Sequence, residues 1–183
     1  MEQTKFTLLL SYAVIATALS ITVINLLIRG LRRQMLKKNV VPPSFGIWYS
    51  LLLLTLSVLS YTAFHQFNLA LDVLLLRNPD QFWLECIKTA SLYLGISYMV
   101  FVIWFYAIGL LNGIILGNRK DLPEIESNNY SYVLIKGVLL FSSVWLLVMP
   151  IENLLRLLGP RLEPLFHWCT SNLIALTITS LFQ

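Results

Sequence analysis

Two cysteines, two histidines and one lysine are the residues of this 183-residue chain whose types could do chemistry inside a membrane. Cys86 and Cys169 stand at matching places in two similar halves, with His65 and His167 near the same level. An oxidising compartment would let the two thiols close a disulfide, and two Cys with two His form a ligand set that zinc accepts. Neither spacing is local, and single cysteines in membrane proteins are usually packed and inert, so the order of preference runs from inert thiols through a bridge to a metal. His65 and Lys136 are the ionisable groups lying inside apolar runs, a position that usually marks function. Each falls within a turn or two of a run's end, however, where an imidazole or ammonium reaches water or headgroups. The chain has no Gly-rich phosphate loop, no nucleophile elbow and no His/Glu pair at metal-binding helical spacing. Nor does it keep a carboxylate near the middle of a span, as ion-coupled carriers do. No catalytic residue, cofactor or metal is therefore expected, and a membrane-embedded enzyme would need a polar cluster that these residues do not assemble.

The elements that must carry these groups are membrane spans. Hydrophobic residues make up 57% of the chain and charged ones 12%, with a mean hydropathy of +0.75; a water-soluble domain carries about 25% charged residues. Several apolar runs exceed the roughly 18 residues that cross about 30 Å of hydrocarbon. The net charge of +4 could point to nucleic acid, but the bases are confined to short loops between runs, where Lys and Arg set orientation. Nucleic acid is thus not an expected partner; membrane lipid is.

Four spans are expected, over roughly Phe6–Ile28, Ser44–Phe67, Ala90–Leu116 and Tyr130–Ile151. The first run is too long for the core of a signal peptide and has no basic segment before it, so it is expected to be retained. Ser11, Ala18, Thr22, Asn25 and Arg29 fall within about 40° of one line along the first span. Ser50, Ser57, Tyr61, His65 and Asn68 share a face of the second. Small and weakly polar stripes of this kind let backbones approach and hydrogen-bond across an interface, so Ser11, Thr22, Asn25, Ser57, Tyr61, His65 and Asn112 are candidate interface or pore residues. Between the second and third spans an amphipathic segment is expected to form a short helix, a turn at Asn78-Pro79 and an aromatic anchor at Phe82-Trp83. The final stretch, Leu165–Phe182, is either a helix lying in the outer interface or a short fifth span.

The first loop holds Arg29, Arg32, Arg33, Lys37 and Lys38 without an acid; the second mixes Arg119 and Lys120 with Asp121, Glu124 and Glu126. Acids count little in the orientation rule, so both loops belong on the cytoplasmic side and both termini on the periplasmic side of a bacterial inner membrane. The seven bases form a candidate partner- or lipid-binding surface.

The stretch Asn25-Leu-Leu-Ile28-Arg-Gly30-Leu-Arg32-Arg33 recurs as Asn112-Gly-Ile-Ile115-Leu-Gly117-Asn-Arg119-Lys120. Ser11-Tyr12 likewise matches Ser97-Tyr98, and Ser57-Val58 matches Ser143-Val144. The near-constant offset predicts a tandem duplication, 1–85 and 86–183. A two-span unit returns the chain to its starting side, so the copies are parallel in orientation, with a pseudo-axis along the membrane normal. The fold class expected is an all-α membrane protein of four transmembrane helices in two parallel-oriented repeats, plus the C-terminal hydrophobic helix.

Two span–loop–span units in a small chain, with Asn128 followed nine residues later by Gly137 at the opening of a second helix, resemble a bacterial inner-membrane family of unknown function. The resemblance implies an oligomeric inner-membrane protein working with gene neighbours in stress or envelope maintenance, and it supplies no catalytic residue. The function expected is a homo-oligomeric membrane module that docks a cytoplasmic or membrane protein partner through its cytoplasmic loops. The alternative is an oligomeric ion channel or small-solute pore.

Overall fold

A computed structural model of the chain describes residues 2–37, 41–77, 81–115, 117 and 121–160. Lys38, Arg119, Lys120, His167, Cys169, the turn at Asn78-Pro79 and the C-terminal hydrophobic segment lie outside the described residues. Within them the chain is helical and without strands: α1 (Glu2–Leu27), α2 (Arg29–Lys37), α3 (Pro43–Arg77), α4 (Phe82–Ile115), α5 (Asp121–Glu126) and α6 (Tyr130–Leu158). Four of these, α1, α3, α4 and α6, are long and apolar enough to cross a membrane.

The loop after the first span is itself helical. Only a one-residue turn at Ile28 separates α1 from α2, and the hydrogen bonds run on through it, from Ile28 N–H to Ile24 O and from Arg32 N–H to Ile28 O. Pro43 opens α3 at the first helical position, where its missing N–H costs nothing.

Two spans are longer than the apolar runs imply. The 34 residues of α4 rise about 51 Å at 1.5 Å each, against roughly 30 Å of hydrocarbon. The amphipathic segment expected to stand alone is instead divided between its neighbours. Leu69–Leu76 continues α3, with Ala70, Leu71 and Leu74 buried at helical spacing, while Phe82–Thr89 forms the first turns of α4, burying Phe82, Cys86 and Thr89. The 85/86 boundary between the two expected units therefore falls inside α4. In α6 the helix runs through Pro150, where the sequence leads one to expect its end. Proline costs a backbone hydrogen bond, but Pro150 sits on the exposed side while Ile151 and Leu155 beyond it are buried.

The long helix α3 is the hub, packing against α1, α4 and α6. It runs antiparallel to α1: Asp72 pairs with Lys5, Phe67 stacks on Tyr12 at 4.6 Å, and Ser60 lies 3.3 Å from Ser20. It runs parallel to α6: Ser44 reaches Asn128, Leu51 meets Gly137, and Gln66 donates to Glu152, a pair 86 residues apart. Leu51 and Gly137 are separated by the same interval of 86 residues.

One polar knot ties three helices within this apolar packing. The Tyr98 hydroxyl of α4 donates to the Ala16 carbonyl of α1 at 2.7 Å and sits 3.2 Å from Ser20, which in turn neighbours Ser60 of α3. Tyr98→Phe is expected to lower the unfolding free energy by about 1 kcal/mol, read as a fall in midpoint temperature of the purified protein. On the outside, Leu110, Ile114, Leu146 and Met149 are each more than three-quarters exposed. Apolar surface on this scale is a liability in water and the natural face of a helix in lipid.

Candidate functional site at the loop end of the bundle

On α2 the helical period sorts the bases. Met35 is buried and Leu31 half-buried, while Arg29 and Arg33 point outward, exposed. Arg29, Arg33 and Lys37 recur every four residues, within about 80° of one another on the helix. Arg32 falls to the side, where its Nη1 donates to the Asn25 Oδ1 of α1 at 3.1 Å. There it borders a cleft of about 460 Å³ between α2 and the start of α3, with Asn25, Ile28, Met35, Val41, Phe45, Gly46 and Tyr49 as the remaining walls.

Among the described residues, charge pairing sets the arginines of α2 apart. Lys5 pairs with Asp72, Lys88 with Glu85, Lys136 with Asp121 and Arg156 with Glu152. Among the described residues, Arg29, Arg32 and Arg33 have no carboxylate partner. A guanidinium is always charged and offers a planar fork of donors, suited to carboxylate or phosphate oxygens.

Beside α2 the second turn is fastened to the bundle. Asp121 of α5 accepts from Lys136 Nζ at 2.5 Å and from the Tyr132 hydroxyl at 2.7 Å, both on α6. The Lys136 ammonium also stands 5.1 Å from the centre of the Trp48 ring on α3. Ser44, at the start of α3, donates to the Ile125 carbonyl at 2.6 Å. Asn129 caps α6 by accepting from Tyr132 N–H and donates to Glu124 at 2.6 Å. Preceding it, Asn128 takes a left-handed φ of 55°, which asparagine tolerates better than most residues. Trp48, Ser44 and Asp121 did not stand out in the sequence, because an ion pair between a six-residue helix and the next span follows no spacing rule.

The remaining sequence candidates lie elsewhere. Ser11 and Thr22 are exposed on α1, and their hydroxyls donate to the carbonyls of Thr7 and Ala18, four residues earlier. Ser57, Tyr61 and His65 are exposed on α3; Ser57 donates to Leu53 O, and the Tyr61 and His65 rings lie nearly parallel at 6.5 Å. Ser57 and Tyr61 face Ala13 and Thr17 across an open groove between α1 and α3. Asn25 joins the α2 cleft, whereas Asn112, its counterpart, is 4% exposed and neither of its amide atoms has a partner among the described residues. Cys86 is a buried, free thiol. Among the described residues no three His, Cys, Asp or Glu side chains come together as a metal site.

At the opposite end, Gln66, Glu152 and Arg156 form a second polar cluster. On α6, Lys136 and Glu152 stand about 24 Å apart along the axis, so the two clusters bracket an uncharged segment a few residues shorter than the roughly 30 Å of hydrocarbon. Among the described residues the loop end thus offers three guanidiniums on α2 without a carboxylate partner, a second turn fastened to the bundle, and a cleft open to one of the three. Comparison with protein-family models, with curated proteins and with solved structures found no match.

Proposed function

We propose that the protein is a homo-oligomeric, multi-pass module of a bacterial inner membrane that docks an acidic protein partner on the cytoplasmic face of its loop end. The observation that carries this reading is the charge imbalance on α2. Among the described residues, four other cations have a carboxylate within reach, while the outward Arg29 and Arg33 have none. Unpaired surface charge of one sign steers and orients a complementary partner. The contacts of Leu51 with Gly137 and Gln66 with Glu152, at the interval of the sequence repeat, support a tandem duplication with its axis along the membrane normal. The small-residue groove of α1 and α3 supports association between copies.

Arg29→Glu/Arg33→Glu is expected to abolish salt-sensitive copurification of the partner while leaving membrane expression unchanged. Arg156→Glu, a charge reversal at the other end of the bundle, is the control and should retain the partner. Equal recovery with the α2 variant would reject the docking surface.

The outward Ser11–Thr22 line and the outward Ser57, Tyr61 and His65 favour a second reading, an oligomeric ion channel or small-solute pore lined where copies meet. Purified protein that stays silent in planar bilayers across voltage and salt would remove it.

A further inference from the structure

We infer that the cleft between α2 and the start of α3 is a binding site for an anionic phospholipid, its phosphate held by Arg32. The inference rests on the membrane placement of the loop end and not on the docking reading, which uses the outward residues Arg29 and Arg33.

The cleft combines three features. Among the described residues its only charged wall is Arg32, and no carboxylate lines it. The hydrogen bond to Asn25 fixes that guanidinium through one Nη1 donor, leaving others of its five for phosphate oxygens. The rest of the wall is apolar or aromatic: Ile28, Met35, Val41, and the tilted Phe45 and Tyr49 rings 6.4 Å apart. Position supplies the third feature. Asn25 and Ile28 close the apolar run of α1 and Arg29 opens the basic helix, so the cleft lies where acyl chains give way to headgroups. A volume of about 460 Å³ falls within the usual range for small-molecule sites, roughly 300–1,000 Å³, and suits a glycerophosphate group with the upper part of a chain. At Gly46 a Cβ would meet nothing within 4 Å, so that wall is open space rather than packed protein.

The shared chemistry is a phosphate, from a lipid or free in solution, and the test separates the two. Full-length protein in detergent is titrated with phosphatidylglycerol, phosphatidylcholine or inorganic phosphate, and bound species are counted by native mass spectrometry. Phosphatidylglycerol should be retained about tenfold more strongly than phosphatidylcholine, and inorganic phosphate should neither bind detectably nor displace it. Arg32→Ala should erase the preference, and Arg33→Ala, with the same charge loss on the outer face, should leave it intact. Gly46→Leu, which fills the cleft while favouring the helix, should also erase it with every arginine present, so a folding defect in Arg32→Ala does not decide the matter. Equal retention of the two lipids, equal losses in the two arginine variants, or displacement by inorganic phosphate would overturn the assignment. Loss of partner copurification in Arg29→Glu/Arg33→Glu bears on the docking reading alone.

Discussion

Asp121→Ala is expected to destabilise the protein by about 2–3 kcal/mol, while Lys136→Met costs less than about 1 kcal/mol. The asymmetry follows from where the charges sit. The Lys136 side chain is 10% exposed and that of Asp121 41%. Removing the aspartate strands a buried ammonium and takes away the carboxylate that accepts from the Tyr132 hydroxyl, whereas removing the lysine leaves a carboxylate that water can reach. A fully buried pair broken in this way loses about 3–5 kcal/mol, and the exposure of Asp121 sets the lower figure. In thermal unfolding of purified protein the expected fall for Asp121→Ala is about 5–10 °C. Asp121→Ala/Lys136→Met should recover most of it, because the stranded charge is gone. If Lys136→Met proved the more damaging single change, the ammonium would not be the buried partner.

Gly137→Ala should cost about 1–3 kcal/mol, and Gly137→Leu should part α3 from α6. A Cβ on Gly137 would press on Leu51 Cδ1 and come within 3.1 Å of Leu51 Cβ and Cγ. The far end of a leucine can swing away, but Cβ cannot without moving α3. Close backbone approach at a small residue is how helices associate where lipid gives no hydrophobic drive. Leu51→Ala in the same chain should restore most of the loss from Gly137→Ala. Additive losses in the double variant would mean that the two residues do not oppose one another.

The four spans were legible because the length of an apolar run is a one-dimensional property and the bilayer sets the threshold. The direction each helix faces was not. On α1 the packed line is Tyr12, Ala16, Ser20, Ile24 and Ile28, while Ser11 and Thr22 lie outside it. Lipid is as apolar as the core, so the hydrophobic period that reveals a buried face in water carries little contrast here. The extension of α3 and α4 beyond the hydrocarbon is hidden for a similar reason, since their outer turns are amphipathic and resemble separate surface helices in pattern. At the loop end the bases of α2 were visible by composition. That Arg32 turns aside to Asn25 while Arg29 and Arg33 face out depends on α2 being helical, which a stretch read as a loop did not reveal.

Docking face and lipid cleft alike require that both interhelical turns meet the same compartment. The direct measurement uses single cysteines on a background with Cys86 and Cys169 replaced by serine, probed with a membrane-impermeant thiol reagent in intact and lysed cells. Gln34→Cys on α2 and Ser127→Cys after α5 mark the two turns, and Gln81→Cys marks the far end, all at exposed positions. The account predicts that positions 34 and 127 label only after lysis and that 81 labels in intact cells. Labelling of positions 34 and 127 from opposite sides of the membrane would contradict it.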